Sequence, residues 1–431
     1  MKIPEHHPQR FVLNNEVHAR PPEMLSAPVR LSFLALLAGS EARAGEHALM
    51  VQLAERYGQT PPAPDANHYS CDFGPFRIKW ERHTEFTRYK FIVAGECDDP
   101  FAAPAIALVP PEWIASLPGQ LIAAAHVGLQ HGYAKPQDPD HISEKLFGGN
   151  ALMGSGIAGG LAVALTDFRI HQDGFSRILV RDSGMSRRQA GRMIQRLLEL
   201  DTYRMLALLA LPLARELGPQ LAEWEGRLVE ITGAMAAAGE QDEPLLERLT
   251  RLSAAIESSV SNTQYRFSAA TAYYELVERR IEELREERIQ GLQTFEEFVE
   301  RRLAPAMNTV RWVSARQGAL SQRVARASQL LSTRVDIARE RQNHALLDSM
   351  NRRAKLQLRL QETVEGLSVA AITYYVVGLV GYGAKALKAA GVAINVDLAI
   401  GISIPLVAIA VALGVRKMRR MVTGAHGPQP D

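Results

Sequence analysis

Two runs of eighteen uncharged residues near the C-terminus constrain this chain more than any other feature. LSVAAITYYVVGLVGYGA occupies 367–384, and LAIGISIPLVAIAVALGV occupies 398–415. At 1.5 Å of rise per helical residue each reaches about 27 Å, close to the roughly 30 Å hydrocarbon layer of a bilayer. The alternative is a helical hairpin buried in a soluble core, but such cores rarely present two of these runs back to back. The expectation is a two-helix transmembrane hairpin whose first partner is the lipid bilayer.

Basic residues set the expected orientation. Arg352, Arg353, Lys355 and Arg359 precede the first run, Arg416, Lys417, Arg419 and Arg420 follow the second, and the connecting loop offers only Lys385 and Lys388. This asymmetry places both termini in the cytoplasm and the loop outside, as a multi-pass membrane protein. Thr373, Tyr374, Gly378, Gly381, Tyr382 and Gly383 form a small, weakly polar set in the first run, suited to close helix packing or to lining a pore. Pro405 should bend the second helix, and no ionisable residue lies mid-span to suggest a proton relay.

The first 366 residues read as a cytosolic body on that hairpin. With 49 basic and 47 acidic side chains in 431 residues, the chain is neither disordered nor a general nucleic-acid binder. Its two cysteines, Cys71 and Cys97, form no disulfide framework and carry no zinc-ligand spacing, which fits a reduced compartment. Residues 1–20 lack the apolar core of a secretory signal.

Composition divides the body in two. From 243 to 366 only Gly291, Pro305 and Gly318 interrupt a stretch dominated by Arg, Glu, Gln, Ala and Leu, which predicts a long helical, coiled-coil-like stalk. One amphipathic helix is expected over about 262–290. A second, over about 305–366, carries Val310, Val313, Leu320, Val324, Ala327, Leu331 and Val335 near a 3.5-residue repeat, and if continuous it would be about 90 Å long. Its stripe must be covered by the preceding helix, by neighbouring subunits or by both, so a homo-oligomer is expected. Because it runs into the first span, it could carry motion to the membrane.

Residues 1–238 are α+β in texture. PFRIKWERHTEFTRYKFIV, 75–93, reads as two strands with a turn near His83 to Glu85, and FRIHQDGFSRILV, 168–180, as a hairpin around Gln172, Asp173 and Gly174. Ser186 and Gln189 have capping-box spacing ahead of a helix that Pro212 is expected to kink and Gly218-Pro219 to end or reorient. A shorter helix should follow near 220–231, then a hinge at 234–244. Residues 416–431 form a basic tail.

No constellation for catalysis is present, and no cofactor is implied. GSGIAG, 154–159, matches the dinucleotide fingerprint GxGxxG, yet no strand clearly precedes it and a strand-like segment follows, so a packed Gly-rich turn or bulge is the better reading. NNEVHARPPE, 14–23, is dense in polar groups. As a strand it would put Glu16, His18 and Arg20 on one face, making Asn15, Glu16, His18 and Arg20 candidate ligand-binding residues. One histidine and one carboxylate are too few for a metal set, so structural hydrogen bonding is favoured there. Arg188, Arg192 and Arg196 stack on one helix face as a potential phosphate-binding stripe, with a solvated basic face as the simpler account.

NNEVHARPP, GGLAVALTDFRIHQDGFSRILV and RRQAGRMIQRLLELDTYRMLALLALPLAR, in that order, resemble the bacterial membrane-anchored family known only as unknown-function family 3422. The resemblance covers essentially the whole chain and implies the inner membrane, but no activity. In architecture the chain also resembles CorA-type divalent-cation channels: a cytosolic α/β body, a very long helix entering the first span, a short outer loop and a second span. That likeness implies a homopentamer and a divalent cation as cargo. CorA-like proteins carry Gly-Met-Asn at the outer end of the first span, where this chain has Gly381-Tyr382-Gly383, and the loop lysines have the wrong sign for concentrating cations. The expected function is therefore a CorA-like oligomeric transporter or channel with a diverged filter, or a membrane-tethered scaffold or sensor with no pore.

Overall fold

A computed structural model describes residues 4–18, 21–39, 41–132, 138–237, 241–391 and 393–424. The elements in chain order are α1 (Arg10–His18), β1 (Val29–Leu37), α2 (Ala42–Arg56), β2 (His68–Asp72), β3 (Arg77–Arg82), β4 (Phe86–Ala94), α3 (Pro111–Ala115), β5 (Gln120–His131), α4 (Pro139–Phe147), β6 (Met153–Ile157), β7 (Ala162–Thr166) and β8 (Ser176–Asp182). They continue with α5 (Arg187–Leu208), α6 (Ala210–Ala236), α7 (Asp242–Leu284), β9 (Glu287–Arg288), α8 (Phe295–Arg302), α9 (Ala304–Ala389) and α10 (Val396–Gly424). The chain divides into two compact units, Met1–Gln329 and Leu330–Asp431.

The first unit is built on a nine-stranded sheet in the order β2-β3-β4-β1-β5-β8-β7-β6-β9, antiparallel throughout except where β5 and β8 run parallel. This mixed α/β unit, with its large helical part, fits the fold class expected from the sequence. β1 and β4 are central and buried on both faces, which is why they read as nearly unbroken runs of large side chains. On one face Ile78, Trp80, Tyr89 and Phe91 pack with Met50 and Leu53 of α2 and Trp113 of α3. α5 packs along the other face, and α7 lies against α5.

The expected strand pair at 75–93 forms as β3 and β4, joined through His83–Glu85, because each alternates cleanly between two buried faces. The Ser186/Gln189 capping box also forms, with both reciprocal hydrogen bonds present. Three expectations are corrected. Residues 168–171 are not a strand: the hairpin is β7–β8, with Ala162–Thr166 as its first arm and 167–175 as its loop, held by Asp167 and Asp173 side chains that accept backbone N–H groups. The 14–23 segment does not begin as a strand, since α1 runs to His18. The break after α5 falls at Leu209, before Pro212, and α6 continues through Gly218 and Pro219 to Ala236, because Pro212 sits in the first turn, where no N–H bond is required. The compact first unit runs to Gln329, with α7 and the start of α9 in its outer layer.

In that layer the α9 stripe Met307, Val310, Val313, Leu320 and Val324 is buried. Gln317 crosses to α7, where Thr263 Oγ1 donates to its Oε1 at 3.2 Å and its Nε2 donates to Ser259 Oγ at 3.0 Å. Arg316 pairs with Glu225 of α6 at 2.5 Å. The burial of the stripe ends at Val335, and every position from 336 to 364 is exposed, Leu346, Met350, Leu356 and Leu360 included.

In the second unit the end of α9 and α10 are long and apolar enough to cross a membrane, and only 6% of each apolar window is buried. They are therefore not a hairpin covered by this chain's own core. Where the two helices meet, a Cβ at Gly381 would sit 3.1 Å from Ile400 Cδ1.

Two helical glycines should respond oppositely to alanine. Gly191 of α5 lies beneath the 21–25 segment, where an added Cβ would collide with the Glu23 carbonyl, whereas Gly226 of α6 faces open space. Urea titration should find Gly191→Ala destabilising by about 1–3 kcal/mol, the clash outweighing helix propensity, and Gly226→Ala stabilising by about 0.5–1 kcal/mol.

Candidate functional site

The face of β3 and β4 opposite the aromatic core carries charge. Register puts Lys79 directly across from Lys90 and Glu81 across from Arg88, and all four side chains are buried. Like charges opposed across strands repel. Glu81 resolves this by taking all three cations: Arg88 Nε donates to its Oε2 at 2.6 Å, Lys90 Nζ lies 3.4 Å from the same oxygen, and Lys79 Nζ lies 3.2 Å from Oε1.

From this centre ion pairs run in both directions. Toward the chain start, Lys79 donates to the Pro21 carbonyl and lies 3.8 Å from Glu23, which also pairs with Arg77. Toward the helices, Arg88 Nη1 reaches Glu199 Oε1 of α5 at 3.0 Å, and Arg280 Nε of α7 takes the other Glu199 oxygen at 2.5 Å. Arg280 Nη1 continues to Glu283 at 2.8 Å, where Arg196 of α5 binds both the carboxylate and the main-chain carbonyl at 2.9 Å. One alternating chain of charges thus joins the 21–25 segment, the sheet, α5 and α7.

Burial sets the electrostatics. Desolvation pushes Glu81 up, but Lys90, Arg88 and Lys79 together hold it well below the ordinary carboxylate range. Burial, then the neighbouring Arg88, pushes the Lys90 ammonium down to about 7. Glu199 is raised by burial but held below its usual range by Arg88 and Arg280.

At the chain-start end lies a cavity of about 690 Å³ whose lining includes Glu23, His68, Ser70, Arg77, Lys79 and Arg187. Arg77 there is lowered by burial and by the nearby Arg187. This cavity adjoins the segment singled out by sequence. The side chains of Asn15, Glu16 and His18 lie outside the described residues, as does Arg20 altogether, while Glu23 of the same segment does join the charged chain.

The other sequence candidates fall elsewhere. Gly154 and Gly156 stand inside β6, and 158–161 form the β6–β7 turn, so GSGIAG is not the strand-to-helix turn of a dinucleotide site. Ser32, His126 and Asp173 approach one another, with Ser32 Oγ 3.0 Å from His126 Nδ1 and His126 Nε2 3.9 Å from Asp173. Ser32 is fully buried and accepts the Ile106 N–H, so its hydroxyl meets no substrate, and burial lowers His126 to about 4. Thr373, Tyr374, Gly378, Gly381 and Tyr382 line a groove of about 910 Å³ with Lys385, Ile400 and Ile404, and Gly383 lies outside it. Among the described residues no cluster of three or more His, Cys, Asp or Glu is placed to hold a metal ion.

Sequence reasoning missed the charged chain, although a signal existed. Arg77, Lys79 and Glu81, then Arg88 and Lys90, recur at every second residue of strands whose alternate positions are aromatic or apolar.

Fold and site together define a mixed α/β protein with an internal charged network, a large helical part and an apolar C-terminal helix. The chain belongs to the family described as protein of unknown function (DUF3422), which matches residues 5–422. No curated protein matches it.

Glu199→Ala leaves Arg88 and Arg280 buried without their shared carboxylate, and urea titration should show a loss of about 3–5 kcal/mol. A second prediction concerns pH. The Lys90 pKa is lowered in the folded state from an ordinary value of about 10.4, so between pH 7 and 9.5 the unfolded chain binds more protons and stability rises with pH. Lys90→Met should flatten that rise relative to wild type.

Proposed function

We propose that this protein is a membrane-tethered sensor or scaffold of the bacterial inner membrane, with its N-terminal unit and C-terminus in the cytoplasm and no catalytic role. The observation that carries the reading is the pair of long apolar helices left uncovered by the chain itself. Basic residues support the orientation: Arg352, Arg353, Lys355 and Arg359 before the first span and Arg416, Lys417, Arg419 and Arg420 after the second outnumber Lys385 and Lys388 between them. The exposed apolar positions of 336–364 support self-association through this helix. The charged chain supports sensing, because a ligand that displaces one member alters the pairing of the next.

A CorA-like oligomeric channel, pentameric and passing a divalent cation, is the second reading. The groove lined by Thr373, Tyr374 and Tyr382 favours it. Gly381-Tyr382-Gly383 in place of Gly-Met-Asn and the two loop lysines weigh against cation selection.

Topology is open to direct test by cysteine labelling in spheroplasts. A membrane-impermeant maleimide should label Ala390→Cys in intact spheroplasts, while Cys71 and Cys97 react only after permeabilisation. Labelling of Ala390→Cys only after permeabilisation, or release of the protein by alkaline carbonate, would overturn the tethered reading.

A further inference from the structure

Backbone strain marks a place that the reading above does not use. Three non-glycine residues among those described have positive φ: Ala158, Phe168 and Arg285. Two of them, Ala158 at 57° and Arg285 at 52°, line one cavity of about 360 Å³. Arg285 is the residue beyond the last turn of α7, a left-handed position where glycine is the usual occupant because a Cβ is strained there. The Ala158 N–H donates to the Leu284 carbonyl at 2.9 Å, fastening the β6–β7 turn to the end of α7. The Arg285 backbone is thus held in a strained conformation at a fixed corner with its side chain exposed, and strain of this kind concentrates at binding sites.

Two further guanidiniums, Arg192 and Arg196, enter the same cavity from successive turns of α5, with Gln189 beside them. Glu282 and Glu283 also line it, so the charge must be apportioned. Glu283 is shared between Arg196 and Arg280, while the exposed Glu282 offsets one of the three guanidinium charges and leaves the cavity with a net positive charge of one. Among the described residues, neither Arg192 nor Arg285 has a carboxylate within 4 Å. The result is a small cavity with one guanidinium fixed by its partner and two left to bind.

We propose that this cavity binds a phosphate-bearing anion, gripped by Arg192 and Arg285 with Arg196 as its fixed wall. Guanidiniums match phosphate oxygens in paired hydrogen bonds. The group could be carried by a soluble phosphate compound or by a phospholipid head. The proposal does not rest on the membrane reading. Occupancy would act on Arg196 and Glu283, the last members of the charged chain that reaches the sheet.

The test is thermal unfolding of the full-length protein in detergent at constant ionic strength set with KCl, titrated separately with inorganic pyrophosphate and with water-soluble short-chain phosphatidic acid. Wild type should gain Tm with at least one of them. A response to pyrophosphate alone assigns a soluble phosphate, and one to the lipid alone assigns a headgroup. Arg285→Gly relieves the strained backbone while removing the guanidinium, so its ligand-free Tm should rise by roughly 2–4 °C and its half-saturating ligand concentration by 10-fold or more. The exposed Arg192→Gln should weaken the response about 10-fold without raising the ligand-free Tm. No response in wild type to either ligand, or a response that survives unchanged in both variants, overturns the proposal. A fall in the ligand-free Tm of Arg285→Gly also counts against it, since Arg285 would then serve to offset the α7 carbonyls instead.

Discussion

A single buried carboxylate, Glu81, makes the central register of this sheet tolerable. Lys79 and Lys90 face one another across β3 and β4 on a surface sealed from water, and nothing else in the pair of strands could neutralise them. Glu81 accepts both ammonium groups and the Arg88 guanidinium, and Arg88 passes the demand for counter-charge to Glu199 on α5. The docking of α5, and behind it α7 through Arg280, therefore satisfies charges as well as covering apolar surface. Buried pairs of this kind add little net stability over an apolar core, but losing one partner is severe, so they fix which partner goes where.

That constraint explains the asymmetry of the two faces. Opposite the charges, Trp80, Tyr89 and Phe91 pack against α2 and α3, where an ion pair, Arg82–Glu46 at 2.9 Å, joins β3 to α2. The charged face ties four separated parts of the chain together through direct ion pairs and hydrogen bonds. A disturbance at either end, at Glu23 or at Arg196, meets its next partner directly.

Much of this architecture was legible in advance, for local reasons. β3 and β4 were visible because their alternation is strong, and the start of α5 because Ser186 and Gln189 are capping groups at fixed spacing. The failures were also local. The alternation of Glu16, His18 and Arg20 shares a face only in a strand, whereas the first part of Asn14–Glu23 continues α1. FRIH was read as a strand arm, although Thr166, Asp167 and Asp173 side chains satisfy the backbone of a loop there. Such side-chain hydrogen bonds compete with strand pairing and leave no trace in a hydrophobic pattern.

The sequence by itself determined that two C-terminal helices are long and apolar enough to cross a membrane, that a long helix precedes them, and that an α/β unit leads the chain, because length, charge and periodicity are properties of consecutive residues. Only tertiary structure decided which charges meet. Glu81, Glu199 and Glu283 lie more than eighty residues apart in succession, and no spacing rule links them. Strand register and helix docking bring them into one line, and the end of α7 sets Arg285 beside Arg192 and Arg196 for the same reason.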